Sequence, residues 1–213
     1  DDVERAPLPS PRTGPDRPGR GSVHGKSPRI TRQLVMWLAA ARPKTLTAAV
    51  VPWLVGSALA AAGGGETQWL HSLAALLAYF FIQIGTNLVN DACDFDRGAD
   101  TKERTGPIRV TQAGMFTSRT VHAAGVGCFL FAGVAMSPAI FHRGWPLALL
   151  LVSSCAAGYA YTGGPYPLGY HGLGDVTVVV FFGIVATGGI RYIHGGGDFL
   201  SVPIAVASVQ VGL

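Results

Sequence analysis

Five acidic residues, Asp91, Asp94, Asp96, Asp100 and Glu103, follow a hydrophobic run long enough to cross a bilayer. Carboxylates at the end of a membrane helix are costly to desolvate, so they mark a site by default. At 100° per residue, Gln83, Asn87, Asn90, Asp91 and Asp94 share an arc of roughly 100°, which gives one helix a polar stripe. Asp91 and Asp94, a helical turn apart with Asn90 beside them, are hard oxygen ligands of the kind magnesium takes. Arg97, Lys102, Arg104 and Arg109 come close behind. Acid for a metal and base for a phosphate, held at a membrane surface, is the chemistry of a diphosphate on a lipid. The stripe is expected to face a polar cavity, so that losing Asp94 removes activity and leaves the fold intact.

The elements that must position these residues are helices in a membrane. Charged residues make up 13% of the chain, against about 25% in ordinary soluble domains. Six apolar segments stand out: Thr45–Ala62, Trp69–Asn90, Thr120–Ile140, Trp145–Tyr161, Val176–Ile190 and Phe199–Leu213. Each is measured against the ~20 residues a spanning helix needs, and several are short. Pro52, Pro138 and Pro203 are expected to kink or end helices. No alternation of period two is long enough for a β-barrel. The fold class is therefore all-α, a polytopic membrane helical bundle.

Residues 1–32, rich in Pro, Gly and Arg, cannot bury enough apolar surface to fold and read as a disordered leader. Arg-rich leaders of this kind include plastid transit peptides, although Asp1, Asp2, Glu4 and Asp16 depart from that pattern. Nine of the 16 Lys and Arg precede residue 45, so the basic pI calls for no nucleic-acid partner. Basic residues also set orientation. Arg29, Arg32, Arg42 and Lys44 precede the first span, and Arg97 to Arg119 follow the second, whereas the intervening loop carries only Glu66. The N-terminus and the acidic loop are thus expected on one side of the bilayer. Cys93, Cys128 and Cys155 have neither disulfide nor zinc spacing.

By parity of spans the Gly- and Pro-rich segment Tyr161–Asp175 falls on that same side. Its glycines do not follow a strand or lead into Lys-Ser or Lys-Thr, so it is not a nucleotide phosphate loop. Taken alone, Asp175 reads as a helix N-terminal cap.

The stretch NDACDFDRGAD, Asn90–Asp100, resembles the first aspartate-rich motif of the UbiA-type membrane prenyltransferases. Ala41–Ala60, Gly98–Gly114 and Tyr161–Gly183 look like the branch that prenylates 1,4-dihydroxy-2-naphthoate in menaquinone and phylloquinone synthesis. The resemblance runs from about Gln33 to the last residue. It implies about nine helices around a cavity, with magnesium joining Asp91, Asp94 and Asp100 to the diphosphate of a prenyl donor. Asp91 and Asp94 would be the catalytic carboxylates. Asn87, Asn90, Lys102, Arg104 and Arg109 would bind substrate. Arg42 and Lys44 would either hold phosphate or face lipid headgroups, and Tyr161 and Asp175 would orient the aromatic acid. The expected activity is transfer of a polyprenyl or phytyl group with loss of carbon dioxide, in a plastid membrane or a bacterial inner membrane.

One departure matters. The family carries a second Asp-rich motif after about the sixth span, and nothing after Asp175 has that pattern; Asp198 stands alone. Residues 33–213 are therefore expected to be the N-terminal part of a truncated domain, inactive by itself. Rival readings are an acceptor such as homogentisate or 4-hydroxybenzoate, a transporter whose carboxylates bind an ion in transit, and a non-catalytic scaffold. Inverted repeats with broken helices would favour a transporter, and none is evident.

Overall fold

The apolar segments become helices because every backbone polar group in a bilayer must be satisfied within its own segment. The structure, a computed structural model, describes residues 29–64, 67–99, 109–195, 199 and 201–213. In chain order the helices are α1 (Arg29–Ala41), a 3-10 turn (Pro43–Leu46), α2 (Thr47–Ala62), α3 (Trp69–Asp96), α4 (Ser118–Arg143) and α5 (Trp145–Ala160). A second 3-10 turn (Leu168–His171) leads into α6 (Gly174–Val178), a π-helix (Val179–Ala186) and α7 (Thr187–Ile193), and α8 (Val202–Gly212) follows. Four stretches among the described residues are long and apolar enough to span: Pro43–Ala62, Trp69–Asp96, Ser118–Arg143 and Gly174–Ile193. With the shorter apolar helices α5 and α8, they account for all six segments read from the sequence.

Small residues let these helices approach closely, the usual device where no hydrophobic force drives helices together in lipid. The most extensive packing is α3 on α4. A Cβ at Gly85 would stand 2.8 Å from the Phe129 ring and 2.9 Å from the Gly125 carbonyl oxygen, so a larger residue there would force the pair apart. One core cluster gathers Ala75, Ala78, Met136, Leu147, Ile190 and Ile193. A second, with Ala40, Leu88, Ala92, Val110 and Val121, ties α1 and the acidic loop to α3.

Three local expectations change. Helix α1 begins at Arg29, four residues inside the stretch read as a leader; the rest of that stretch lies outside the described residues. Trp37 of α1 stacks on Phe116 with ring centroids 4.3 Å apart, which anchors the helix to the returning loop. Pro52 and Pro138 end nothing: both lie inside continuous helices, and Pro203 opens α8. The fifth span is interrupted by eight residues of π-helix, a rare form that tends to occur where function needs an irregular backbone.

Candidate active site

Towards the C-terminal end of helix α3 the polar stripe divides. Gln83, Asn87 and Asn90 line a cavity of about 500 Å³, together with Arg42, Thr86 and Tyr161 at the polar rim. Its deeper wall is apolar, with Pro52, Ile82, Met136, Leu151, Phe181 and Phe182. Asn87 donates to the Ala41 carbonyl at 3.0 Å and to the Thr45 hydroxyl at 2.9 Å, which pins α3 to the corner between α1 and α2. Asn90 accepts from the Thr162 hydroxyl at 2.7 Å, so the end of α5 is fastened to the same rim.

Asp91 and Asp94 do not line that cavity. Asp91 is 1% exposed. Its carboxylate accepts the Val110 N–H at 3.0 Å, the Thr111 N–H at 3.3 Å and the Thr111 hydroxyl. It therefore holds the segment that returns from the acidic loop. Asp94 lies one turn above Asn90, where Arg109 Nη2 meets one oxygen at 2.6 Å and the Tyr170 hydroxyl meets the other at 2.5 Å. Arg109 and Asp94 are both buried. The expectation that these carboxylates face an open polar space is corrected: both are packed under protein donors, because the loop and the Tyr170 turn fold down over the helix end.

The basic residues separate in the same way. Arg42 lines the cavity and adopts a left-handed backbone, φ 53°. It is the one non-glycine residue with positive φ among the described residues, a conformation that costs roughly 1–2 kcal/mol. Strain of this kind collects at functional sites. Lys44, only two residues on, is exposed and outside the lining. Arg97 donates to the Gly164 carbonyl at 2.5 Å and lies 5.7 Å from the Tyr170 ring centre, while Asp96 accepts from Ser118 at 2.7 Å. Asp175 is not a cap. Leu173 occupies the cap position, and Asp175 is exposed in the first turn of α6, off the cavity wall. Asp100, Lys102 and Arg104 lie outside the described residues, as do Glu66 and Asp198.

The contacts of Arg97 with Gly164, Tyr170 with Asp94 and Thr162 with Asn90 put the acidic loop and the Tyr161–Asp175 segment at one end of the bundle. The loop between α2 and α3 is at the other end, where the Gln68 N–H donates to His194 Nδ1 at 2.9 Å. Tyr170 and Thr111 are the site residues that sequence reasoning missed. A tyrosine and a threonine in polar loops carry no charge signal, and only the meeting of loops far apart in sequence gives them partners. Among the described residues no group of three or more His, Cys, Asp or Glu is gathered as a metal site.

The UbiA prenyltransferase family matches residues 49–213. A 1,4-dihydroxy-2-naphthoate octaprenyltransferase of Mycobacterium leprae is 35% identical over 81% of this chain and 58% of its own length. The Mycobacterium tuberculosis protein of that name is 37% identical over 73% of this chain and 53% of its own length. A 2-carboxy-1,4-naphthoquinone phytyltransferase of Synechocystis is 34% identical over 86% of the chain and 57% of its own. The chain thus spans little more than half the length of these relatives. No solved structure matches it. The match over residues 49–213, carried on helices that could span a bilayer, shows that the chain belongs to the UbiA prenyltransferase family of integral membrane proteins.

Proposed function

We propose that the protein containing this chain transfers a polyprenyl or phytyl group from its diphosphate onto 1,4-dihydroxy-2-naphthoate, in a bacterial inner membrane or a plastid membrane. The observation that carries this reading is the cavity, polar at the rim and apolar in depth, beneath the Asp94–Arg109–Tyr170 cluster. Such a shape suits a donor with a charged head and a hydrocarbon tail. Two of the relatives are named for octaprenyl transfer to 1,4-dihydroxy-2-naphthoate and the third for phytyl transfer to 2-carboxy-1,4-naphthoquinone, which supports this donor class and a carboxylated naphthalene acceptor.

In the reaction the donor C–O bond breaks and its electron pair leaves with the diphosphate. The electron-rich naphthoate ring supplies the pair for the new C–C bond. The carboxylate on the attacked carbon leaves as carbon dioxide, and its bonding pair restores the ring. No external oxidant or reductant is needed.

Arg42 and Arg109 are assigned to the diphosphate end, with Asn87 and Asn90 orienting the donor at the rim. Each charge-assisted contact of this kind is worth about 1.5–3 kcal/mol, or roughly ten- to a hundredfold in rate. Lys102 and Arg104 are assigned to the same end from their place in the motif. Tyr161, on the wall beside α6, is assigned to the aromatic acid. Lys44 and Asp175, exposed and off the cavity, are left out.

The donor set of Asp91, Asp94 and Asn90 is oxygen only, which fits a hard divalent cation in kind. Asp94 and Asp91, with Asp100, would hold magnesium, and a bound ion would set positive charge against the leaving diphosphate. For them to do so, the contacts of Asp94 with Arg109 and Tyr170 and those of the buried Asp91 with Val110 and Thr111 must be shared or exchanged.

The test is an assay in liposomes with geranylgeranyl diphosphate and naphthoate labelled at the carboxyl carbon. We expect prenylated naphthoquinol and labelled carbon dioxide in equal amounts, lost on adding EDTA. Prenylation of homogentisate or 4-hydroxybenzoate in place of the naphthoate would overturn the acceptor. Ion flux with no prenylated product would favour a transporter.

A further inference from the structure

Resting on the reading of the cavity as a donor site, we propose that Tyr79 is the stop that sets how long a prenyl tail the cavity accepts. Helix α3 carries both ends of the measure. Asn90 is at the polar rim and Tyr79 lines the wall eleven residues earlier, which is about 16 Å deeper at 1.5 Å per residue. Two observations make Tyr79 the end of the space and not merely part of its lining.

The first is that the ring is fixed. Its hydroxyl donates to the Ala186 carbonyl at 2.9 Å, at the residue where the π-helix passes into α7. The π segment also supplies Phe181 and Phe182 to the wall, so the irregular backbone and the tyrosine define the same cross-section. The second is that the bundle closes behind the ring. Ala75, Ala78 and Ile190, none of which lines the cavity, show no exposure. Tyr79 packs against the cluster these residues form. Gly189 faces the hydroxyl so closely that a Cβ there would stand 3.3 Å from it. A tail that reaches Tyr79 meets a braced aromatic ring backed by close-packed side chains, and a longer tail must bend away. Packed interiors do not yield a methylene's worth of room without cost.

The stop predicts opposite shifts from two substitutions. Tyr79→Ala removes the ring and lengthens the slot. Ser154→Leu adds bulk to the lining on α5, one turn from Leu150, and shortens it. Affinities for geranyl, geranylgeranyl and octaprenyl diphosphates would be measured on the membrane-embedded protein by competition against a photoreactive prenyl diphosphate. Naphthoate transfer would be followed in parallel. Tyr79→Ala should raise the preference for the octaprenyl over the geranylgeranyl donor at least tenfold, and Ser154→Leu should lower it by a similar factor. If Tyr79→Ala fails to fold, Tyr79→Leu, which keeps apolar bulk but removes the braced ring, is measured in its place and decides alone. Wild-type length ratios in the folded variants would overturn the stop. Binding ratios that shift as stated without any transfer to naphthoate would uphold the stop and overturn the acceptor reading.

Discussion

Replacing Asp94 tests whether the helix end is a structural lock as well as a site. The carboxylate takes two short hydrogen bonds, 2.6 Å from Arg109 and 2.5 Å from Tyr170. The Arg109 and Asp94 side chains are only 5% and 11% exposed, so water screens the pair little. Removing one member of a buried ion pair costs about 3–5 kcal/mol, whereas replacing both with apolar groups is often near neutral. Arg109 keeps other contacts once Asp94 is gone, which argues for the lower end, about 3 kcal/mol. On the soluble-domain scale of 2–4 °C per kcal/mol, the melting temperature of Asp94→Ala should fall by about 6–12 °C. Arg109→Met should fall by a similar amount, and the double variant should regain most of the loss. Thermal unfolding in detergent gives the cycle, and the prenyl-transfer assay is run on the same samples. The double variant should be stable and inactive, because the carboxylate assigned above to the metal is still missing. Unchanged melting in both single variants would refute the lock, and activity in the double variant would refute the chemical role of Asp94.

Two further outcomes follow from the opposite end of the bundle and from the topology. His194 is buried and accepts the Gln68 N–H on Nδ1, so its proton is on Nε2, 3.2 Å from the Ser57 hydroxyl. Burial, then Arg191 and Arg143, hold its pKa below the ordinary 6.5. The unfolded chain therefore binds the proton first: the stabilisation is complete above about pH 6.5 and declines as the pH falls from there towards the folded pKa. Melting curves between pH 7.5 and 5 should show the gap between wild type and His194→Gln narrowing with acidity, and a constant gap would count against it. In a background lacking Cys93, Cys128 and Cys155, single cysteines at Lys102 and His171 should react with an impermeant reagent from one side of the membrane and a cysteine at Glu66 from the other. Equal labelling of Lys102 and Glu66 positions from the same side would refute the span count.

Hydropathy and spacing, both local properties, were enough to read the six apolar segments, the polar stripe of α3 and the shared side of the two polar loops. Burial of a continuous apolar run and the 100° step of a helix depend on neighbours a few residues away, so the chain displays them directly. Which member of the stripe does what was not readable. Asn87, Asn90 and Asp91 occupy adjoining angles, yet only the first two meet the cavity, because the 109–111 segment folds onto the third. Arg42 and Lys44 look alike in sequence, and the left-handed turn at Arg42 alone turns one inward. Helix α1 escaped notice because its start is merged with a Pro- and Gly-rich stretch and its anchor, Phe116, is 79 positions beyond Trp37. Tyr170 reaches Asp94 across 76 positions and Tyr79 reaches Ala186 across 107. Partners so distant are chosen by how the helices pack, and no pattern along the chain encodes the choice where one turn of backbone decides it.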